Sequence, residues 1–401
     1  MTAIDSGLFA RLVDIRRDLH RHPELSWQET RTAGVVCEFL ASLGIPYRDG
    51  IAGTGVIADI PGVSNDQLVA LRADLDALPI IEETGLSFCS QTAGVMHACG
   101  HDGHTTMLLG AAALLSSGPA PPVGVRLIFQ PAEETGEGAL AMVKSGALER
   151  VAMIFGAHVD RHFPVGSVVV TDGPVNASSD SFKISISGRG GHGARPHETV
   201  DAVVVGSLLV MAIQTIVSRE INPAHPSVVS VGQFLAGTAP NVIAGQAELT
   251  GTIRAQDADV RVHLQNSIRR IATSVAQLHE AAISIEFHEG TPPLINSPEW
   301  VEVAREAAAR AVGAENVLSM DTANMGGEDF SHYLDHVPGC YVRVGSTAPG
   351  VNAFPAHSSR FDIDEGAIGA GAAWFAEVAR LAGQQVATGE HRETHANLNE
   401  D

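Results

Sequence analysis

Lysine is almost missing: Lys144 and Lys183 are the only two in 401 residues, and the other basic side chains are arginines. Neither lysine follows a glycine, so there is no Walker-type phosphate loop, and so few lysines disfavour Schiff-base chemistry. Cysteine is scarce too. Cys37, Cys89, Cys99 and Cys340 share no CxxC spacing, and four in so long a chain do not make a disulfide scaffold. Positive charge is also short: 25 Lys plus Arg stand against 46 Asp plus Glu, a formal net charge of -21. Such a surface repels phosphate backbones and anionic headgroups, which argues against nucleic acid or a membrane surface as partner. The opening MTAIDSGLFARLVDIRRDLH lacks the basic-then-apolar order of a signal peptide. It reads as an amphipathic helix, and a cytoplasmic location is expected. The G-x-S-x-G elbow, the H-E-x-x-H helix and the D-x-D-x-D-G calcium loop are likewise absent.

What is present is core material. Hydrophobic residues make up 45% and charged residues 18%, which excludes a disordered chain. The length suggests two domains, with room for a third. One run, Val200–Val217, imitates a membrane span, but a span needs ~20 apolar residues. This one carries Asp201, Ser207 and Gln214 and sits between strand-like segments. A buried globular helix is expected there.

Up to about residue 179, helical and strand patterns alternate. Helices are expected at 7–20, 29–43, 103–116 and 138–145, and strands at 55–60, 67–73, 124–129 and 152–157. This alternation predicts an α/β sheet covered by helices. Between 180 and 290 the order becomes βαββαβ, the ferredoxin-like arrangement, which closes as one sheet with two helices. The alternating pattern resumes after TPPLINSP (291–298), with a final helix at 364–382. The expected organisation is a discontinuous α/β domain (1–179 and 291–386) with a mostly parallel sheet, interrupted by a smaller domain (180–290). The polar, aperiodic residues 387–401 read as a disordered tail.

Four segments carry candidate chemistry. In Met96–His104 (MHACGHDGH), Cys99 and His101 are two apart, so an extended backbone sends both to one side. Thiolate and imidazole are metal ligands, although a lone Cys-x-His is more often a buried thiol beside a structural histidine. Gln130-Pro131-Ala132-Glu133-Glu134 follows the strand VRLIF. Paired carboxylates there are ordinarily a solvated turn, yet they can divide labour between binding a cation and acting as general base. His158 follows another strand, and His357 lies in Phe354-Pro355-Ala356-His357. Singly, each reads as structural. Collectively, glutamates and a histidine at strand ends lie where open α/β sheets bind ligands. One sulfur, three imidazoles and a carboxylate suffice for a two-metal site.

Gly188–Gly193 satisfies G-x-G-x-x-G, the dinucleotide signature in outline. Pro196 delays the helix, however, the next strand does not end in an acidic residue, and the motif lies in the βαββαβ segment. A turn carrying His192 toward a substrate is the preferred reading. Asn241, in a loop between strands, and Arg254, near the end of a strand, could grip a carboxylate. They read equally well as a turn asparagine and a surface arginine.

Together these segments resemble the M20 metallopeptidase family, in particular its amidohydrolase branch of hippurate, N-acyl-amino-acid and indoleacetyl-amino-acid hydrolases. The resemblance rests on HRHPE (20–24), RADLDALP (72–79), MHACGHDGH, QPAEE, Gly188–Gly193, MGGEDF (325–330) and PAH (355–357). It implies a catalytic α/β domain with two divalent ions (Zn, Mn, Co or Ni) and a smaller lid or dimerisation domain. It places ligands at Cys99, His101, Glu134, His158 and His357, with Glu133 as general base. It puts His192, Asn241 and Arg254 at the substrate, with His192 serving its own site or a partner's. Asp74 is implied as a supporting residue. The implied reaction is hydrolysis of the amide of an N-acyl amino acid by metal-activated water, and a homodimer is expected. The alternatives are a dipeptidase or carboxypeptidase, an aromatic deaminase, a metal-holding binding protein and a nucleotide-binding oxidoreductase.

Overall fold

The segments GVIADI, LVALRAD, VGVRLIFQ and VAMIFGAHV are apolar at consecutive rather than alternate positions. Strands covered on both faces require that pattern. In the computed structural model, which describes residues 4–351 and 353–389, they form the centre of a large sheet. Its strands are β1 (Tyr47–Ile51), β2 (Gly55–Ile60), β3 (Ser64–Asp74), β4 (Val123–Gln130), β5 (Val151–Pro164) and β6 (Val168–Val169). Around them lie α1 (Ser6–Arg21), α2 (Thr30–Ser42), α3 (His101–Ser117) and α4 (Gly138–Lys144).

The chain then builds a second unit from β7 (Asp180–Ser187), β8 (Gly191–His192), α5 (Ala202–Arg219) and β9 (Ser227–Ala236). It continues with β10 (Val242–Ile243), β11 (Gln246–Ala255), α6 (Ala258–His279) and β12 (Ala282–His288). The large unit resumes with α7 (Pro298–Val312), β13 (Val317–Leu318), α8 (Ser331–Leu334), β14 (Gly339–Thr347) and α9 (Gly366–Thr388).

The large unit comprises Met1–Gly173, Ile295–Asp321 and Asp329–Asp401. Its sheet has the order β1-β2-β4-β3-β5-β14-β6-β13. The central pairs β4–β3, β3–β5 and β5–β14 are parallel, while β1, β2 and β6 add antiparallel pairings. One apolar core runs between sheet and helices, with Phe155, Trp300 and Trp374 fully covered.

The small unit is Pro174–Leu294 with Thr322–Glu328. Its four-stranded sheet is antiparallel in the order β9-β11-β7-β12, the ferredoxin-like order. The apolar run is α5. Ala202, Val205, Leu209, Ile213 and Ile216 recur at helical spacing and pack on the sheet. The helix is long and apolar enough to cross a membrane by length and composition. It is not wholly buried as expected, because Val204 and Met211 face outward at 52% and 69% exposure. Gly251 of β11 shows why a strand can need glycine: a Cβ there would sit 2.2 Å from the Ser230 carbonyl oxygen, beside the bulge of β9.

Three expectations need correction. Strand β5 does not end at 157 but runs to Pro164, because parallel pairing with β14 continues beyond that point. Strand β1 was not anticipated, its residues being mostly exposed. Helix α9 runs on to Thr388, past the expected tail boundary, and residues 390–401 lie outside the described ones.

Candidate metal centre and active site

The site forms where the central parallel strands of the large unit end. The turn between Cys99 and His101 is made by Gly100, at φ 92°, which caps the N-terminus of α3. A Cβ at Gly100 would meet Val159 at 2.5 Å, so both the conformation and the space select glycine. The two side chains therefore converge through a left-handed turn into a helix, not through the extended backbone read from their spacing. Cys99 Sγ lies 3.4 Å from His158 Nε2, and donor atoms of Cys99, His101 and His158 all lie within 4.8 Å of one another. His158 is inside β5, not past it. The β3–β5 ladder stops at Arg72–Gly156, so His158 stands where β5 has outrun that neighbour.

Past β4, Ala132 at φ 55° leads into a single 3₁₀ turn, Glu133–Thr135. Buried carboxylates hold this turn. Glu29 accepts the Ala132 N–H at 2.9 Å, and Asp76 accepts the N–H groups of Glu133 and Glu134 at 3.1 and 3.0 Å. Glu134 Oε2 lies 3.4 Å from His357 Nε2. His357 is itself left-handed at φ 66°, and its N–H donates to the Ala98 carbonyl at 2.7 Å. Two non-glycine residues in that region, flanking one site, are strain retained at a working position. Cys99, Glu134 and His357 form a second group of potential ligands. Cys99 thus belongs to both groups.

The electrostatics of this cluster call for positive charge. Burial disfavours a charge on His101, yet Asp74 and the hydrogen bond to Asp76 outweigh it and raise its pKa well above the usual value. Burial, then Glu134, pushes the Cys99 thiol well above its ordinary range. His357 is raised chiefly by its hydrogen bond to Glu134. His158 is held well below 6.5 by burial, then by His104 and Arg343, and is a neutral imidazole. The buried His101 Nε2 and Glu134 Oε1 have no hydrogen-bond partner among the described residues.

The remaining candidates lie on the small unit. His192 and Asn241 share a two-stranded ribbon: β8 pairs with β10 at His192–Val242, and Gly193 N–H donates to the Asn241 carbonyl. Both side chains are exposed. The His192 Nδ1 accepts the Ala194 N–H at 3.1 Å, which leaves Nε2 to carry the proton. Arg254 stands on β11 opposite Val228 and makes no ion pair among the described residues. The ribbon adjoins the Gln246 end of β11, and Arg254 is eight residues along it, roughly 26 Å at ~3.3 Å per residue. Within one small unit these residues do not converge.

Motif reading passed over Asp76, Glu29 and His104. The spacing of Asp74 and Asp76 was the available signal, since alternate residues at a strand end share a side. Asp74 Oδ2 lies 3.8 Å from His101 Nε2 and Asp76 Oδ1 3.2 Å from His101 Nδ1. Glu29 carries no such signal, because its partners are distant in sequence; His104 closes MHACGHDGH, three residues after His101, and only its partners Asp74 and Val159 are distant.

Comparison with known proteins shows the family. The model of peptidase family M20/M25/M40 matches residues 70–381. The N-acetyl-L-cysteine deacetylase of Bacillus subtilis is 39% identical over 90% of this chain and 86% of its own. Thermostable carboxypeptidase 1 of Saccharolobus solfataricus is 39% identical over 90% and 92%. The crystal structure of the Bacillus subtilis YXEP protein, described as a dinuclear metal binding peptidase of the M20 family, superposes with a TM-score of 0.84. It is 36% identical and covers 95% of this chain and 99% of that one. With the family model matched over most of its length, the chain belongs to peptidase family M20/M25/M40 and is a hydrolytic enzyme of metal-dependent amide hydrolysis.

Proposed function

We propose that the chain hydrolyses the amide bond of N-acyl amino acids with two divalent ions at the cluster around Cys99. The observation that carries this reading is the sharing of Cys99 between two ligand groups, Cys99/His101/His158 and Cys99/Glu134/His357. The unpartnered His101 Nε2 and Glu134 Oε1 fit such ions, and the S/N/O donor set suits Zn, Mn, Co or Ni. Ions bound there supply Lewis acidity toward water and toward the amide carbonyl. Glu133 takes the proton of the attacking water and hands it to the leaving nitrogen. His192 donates from Nε2 to the developing oxyanion, a contribution of ~3 kcal/mol for donors of this kind. Arg254 and Asn241 hold the α-carboxylate of the amino acid released. The free thiols at Cys37, Cys89, Cys99 and Cys340 suit a reducing, cytoplasmic compartment.

Because one small amide does not reach both ends of β11, the reading includes a homodimer in which Arg254 and His192 at each site come from different copies. Edge strand β9, with Phe234 and Leu235 exposed, and the outward Val204, Leu208 and Met211 of α5 offer the contact surface. Two measurements test the proposal. N-acyl amino acids should turn over faster than the matching free-amine dipeptides; the reverse order makes the enzyme a dipeptidase. Mixed His192→Ala and Arg254→Ala chains should regain activity that neither has alone, and no recovery would overturn the two-copy site.

Metal loading should depend on pH with a definite sign. The pKa values of Cys99 and His101 are raised in the ion-free chain, so both are protonated at neutral pH, and a binding ion displaces those protons. Affinity therefore rises with pH and falls as the solution is acidified. Calorimetry in buffers of different ionisation enthalpy checks this: heats that do not vary with the buffer would contradict it.

A further inference from the structure

We propose that His104 is a positioning residue that fixes the tautomer and direction of the His158 imidazole; this rests on the metal reading above. His104 lies three residues after His101 in α3, buried, with both ring nitrogens engaged. Its Nε2 accepts the Val159 N–H at 2.9 Å, so the ring proton is on Nδ1, which donates to Asp74 Oδ1 at 2.7 Å. Asp74 is anchored in turn by Arg72, at 2.8 Å. On the other side, His158 Nδ1 donates to the Val159 carbonyl at 2.6 Å. That leaves the Nε2 lone pair of His158 facing Cys99 Sγ. Val159 is therefore the coupling: it gives its N–H to one histidine and its C=O to the other.

The position of His104 in the sheet explains why a side chain is needed here. The β3–β5 ladder ends at Arg72–Gly156, while Asp74 closes β3 and Val159 lies beyond the last pair. His104 spans from the end of β3 to β5 and replaces the ladder bond that β3 no longer supplies. In an extended residue the N–H and C=O point the same way, so anchoring the Val159 N–H also aims its carbonyl. The two rings lie edge-on, with centroids 4.5 Å apart at 60°, which restricts how far His158 can swing. His104 also shares a group of potential ligands with Asp74 and His101. Ligation by it would require releasing the Val159 N–H and leaving a buried donor unpaired.

The test titrates Co²⁺ into chelator-stripped full-length chains carrying His104→Gln, His104→Asn or His104→Phe. The readouts are stoichiometry, the two affinities and the thiolate-to-cobalt absorption. Gln places an amide oxygen near the position of Nε2 and can still accept from Val159, whereas Asn reaches only as far as Nδ1. The Gln variant should bind both ions close to wild type. The Asn and Phe variants should lose about 10–100-fold in affinity at one site and leave the other unchanged. If the Phe variant does not fold, the Asn variant decides. Wild-type affinity at both sites in the Asn variant would overturn the positioning role. Outright loss of an ion in all three would make His104 a ligand instead. A wild-type chain that binds no Co²⁺ would remove the metal reading and this proposal together.

Discussion

Replacing Glu133 by Gln is expected to lower turnover by about 10²–10⁴-fold, the usual contribution of a general base, while two ions stay bound. The substitution keeps side-chain size and leaves the 3₁₀ turn intact. That turn is held through the backbone N–H groups of Glu133 and Glu134 on Asp76, which the change does not touch. What is lost is the ability to accept and return a proton. The two adjacent glutamates are not equivalent in the structure. Both approach His101 Nε2, Glu133 Oε2 at 3.9 Å and Glu134 Oε1 at 3.8 Å, but of the two only Glu134 lies against His357 and shares a ligand group with Cys99. Turnover and metal content should therefore be measured on the same preparation. An active variant with both ions bound would exclude Glu133 as the base, and loss of an ion would make it a ligand.

Replacing Arg72 by Leu is expected to cost about 3–5 kcal/mol of stability in the large unit, the price of leaving buried charges without their partner. Arg72 is fully covered at the end of β3. It donates to Gln130 Oε1, Asp74 Oδ2 and Asp329 Oδ1, each at 2.8 Å. Burial works to raise the pKa of Asp74, but His101, His104 and Arg72 hold it well below the usual carboxylate range. Asp329 also accepts from Gln130 and from the Ala139 N–H, so the guanidinium ties β3, β4 and α4 to the segment before α8. The contrast is Arg305, paired with the exposed Asp172 at 3.0 Å. Its replacement should cost at most about 1 kcal/mol. Urea unfolding of both variants makes the comparison, and equal losses would mean that the buried network holds nothing together.

Some of this architecture was legible beforehand for physical reasons that can be named. Consecutive apolar residues in VGVRLIF can be satisfied only by cover on both faces, so the central strands followed from local pattern. The order βαββαβ between 180 and 290 likewise leads to β9-β11-β7-β12, because each helix must return across the sheet that its own strands form. Cys99, His101, Glu133, Glu134, His158 and His357 were named from motifs and do lie together in the large unit. The reasons were not always right. Gly100 turns the chain where an extended backbone was assumed, and His158 sits within β5 because β14 continues to pair with it.

Local chemistry thus determined the elements, the small unit's topology and the residue types able to hold divalent ions, since each depends on neighbours a few positions apart. Tertiary structure alone decided how those residues are used. Cys99 is shared between two groups because the fold brings His158 of β5 and Glu134 of the 3₁₀ turn up to it. Asp76 and Glu29 support the glutamates from other segments, and His104 reaches Val159 only because β3 stops short of it. Arg254 and His192 stand at opposite ends of β11, a separation set by strand length and pairing. The physical reason is common to the first three: hydrogen bonding and charge act over a few ångströms in space, and the fold brings together groups that lie dozens of residues apart along the chain.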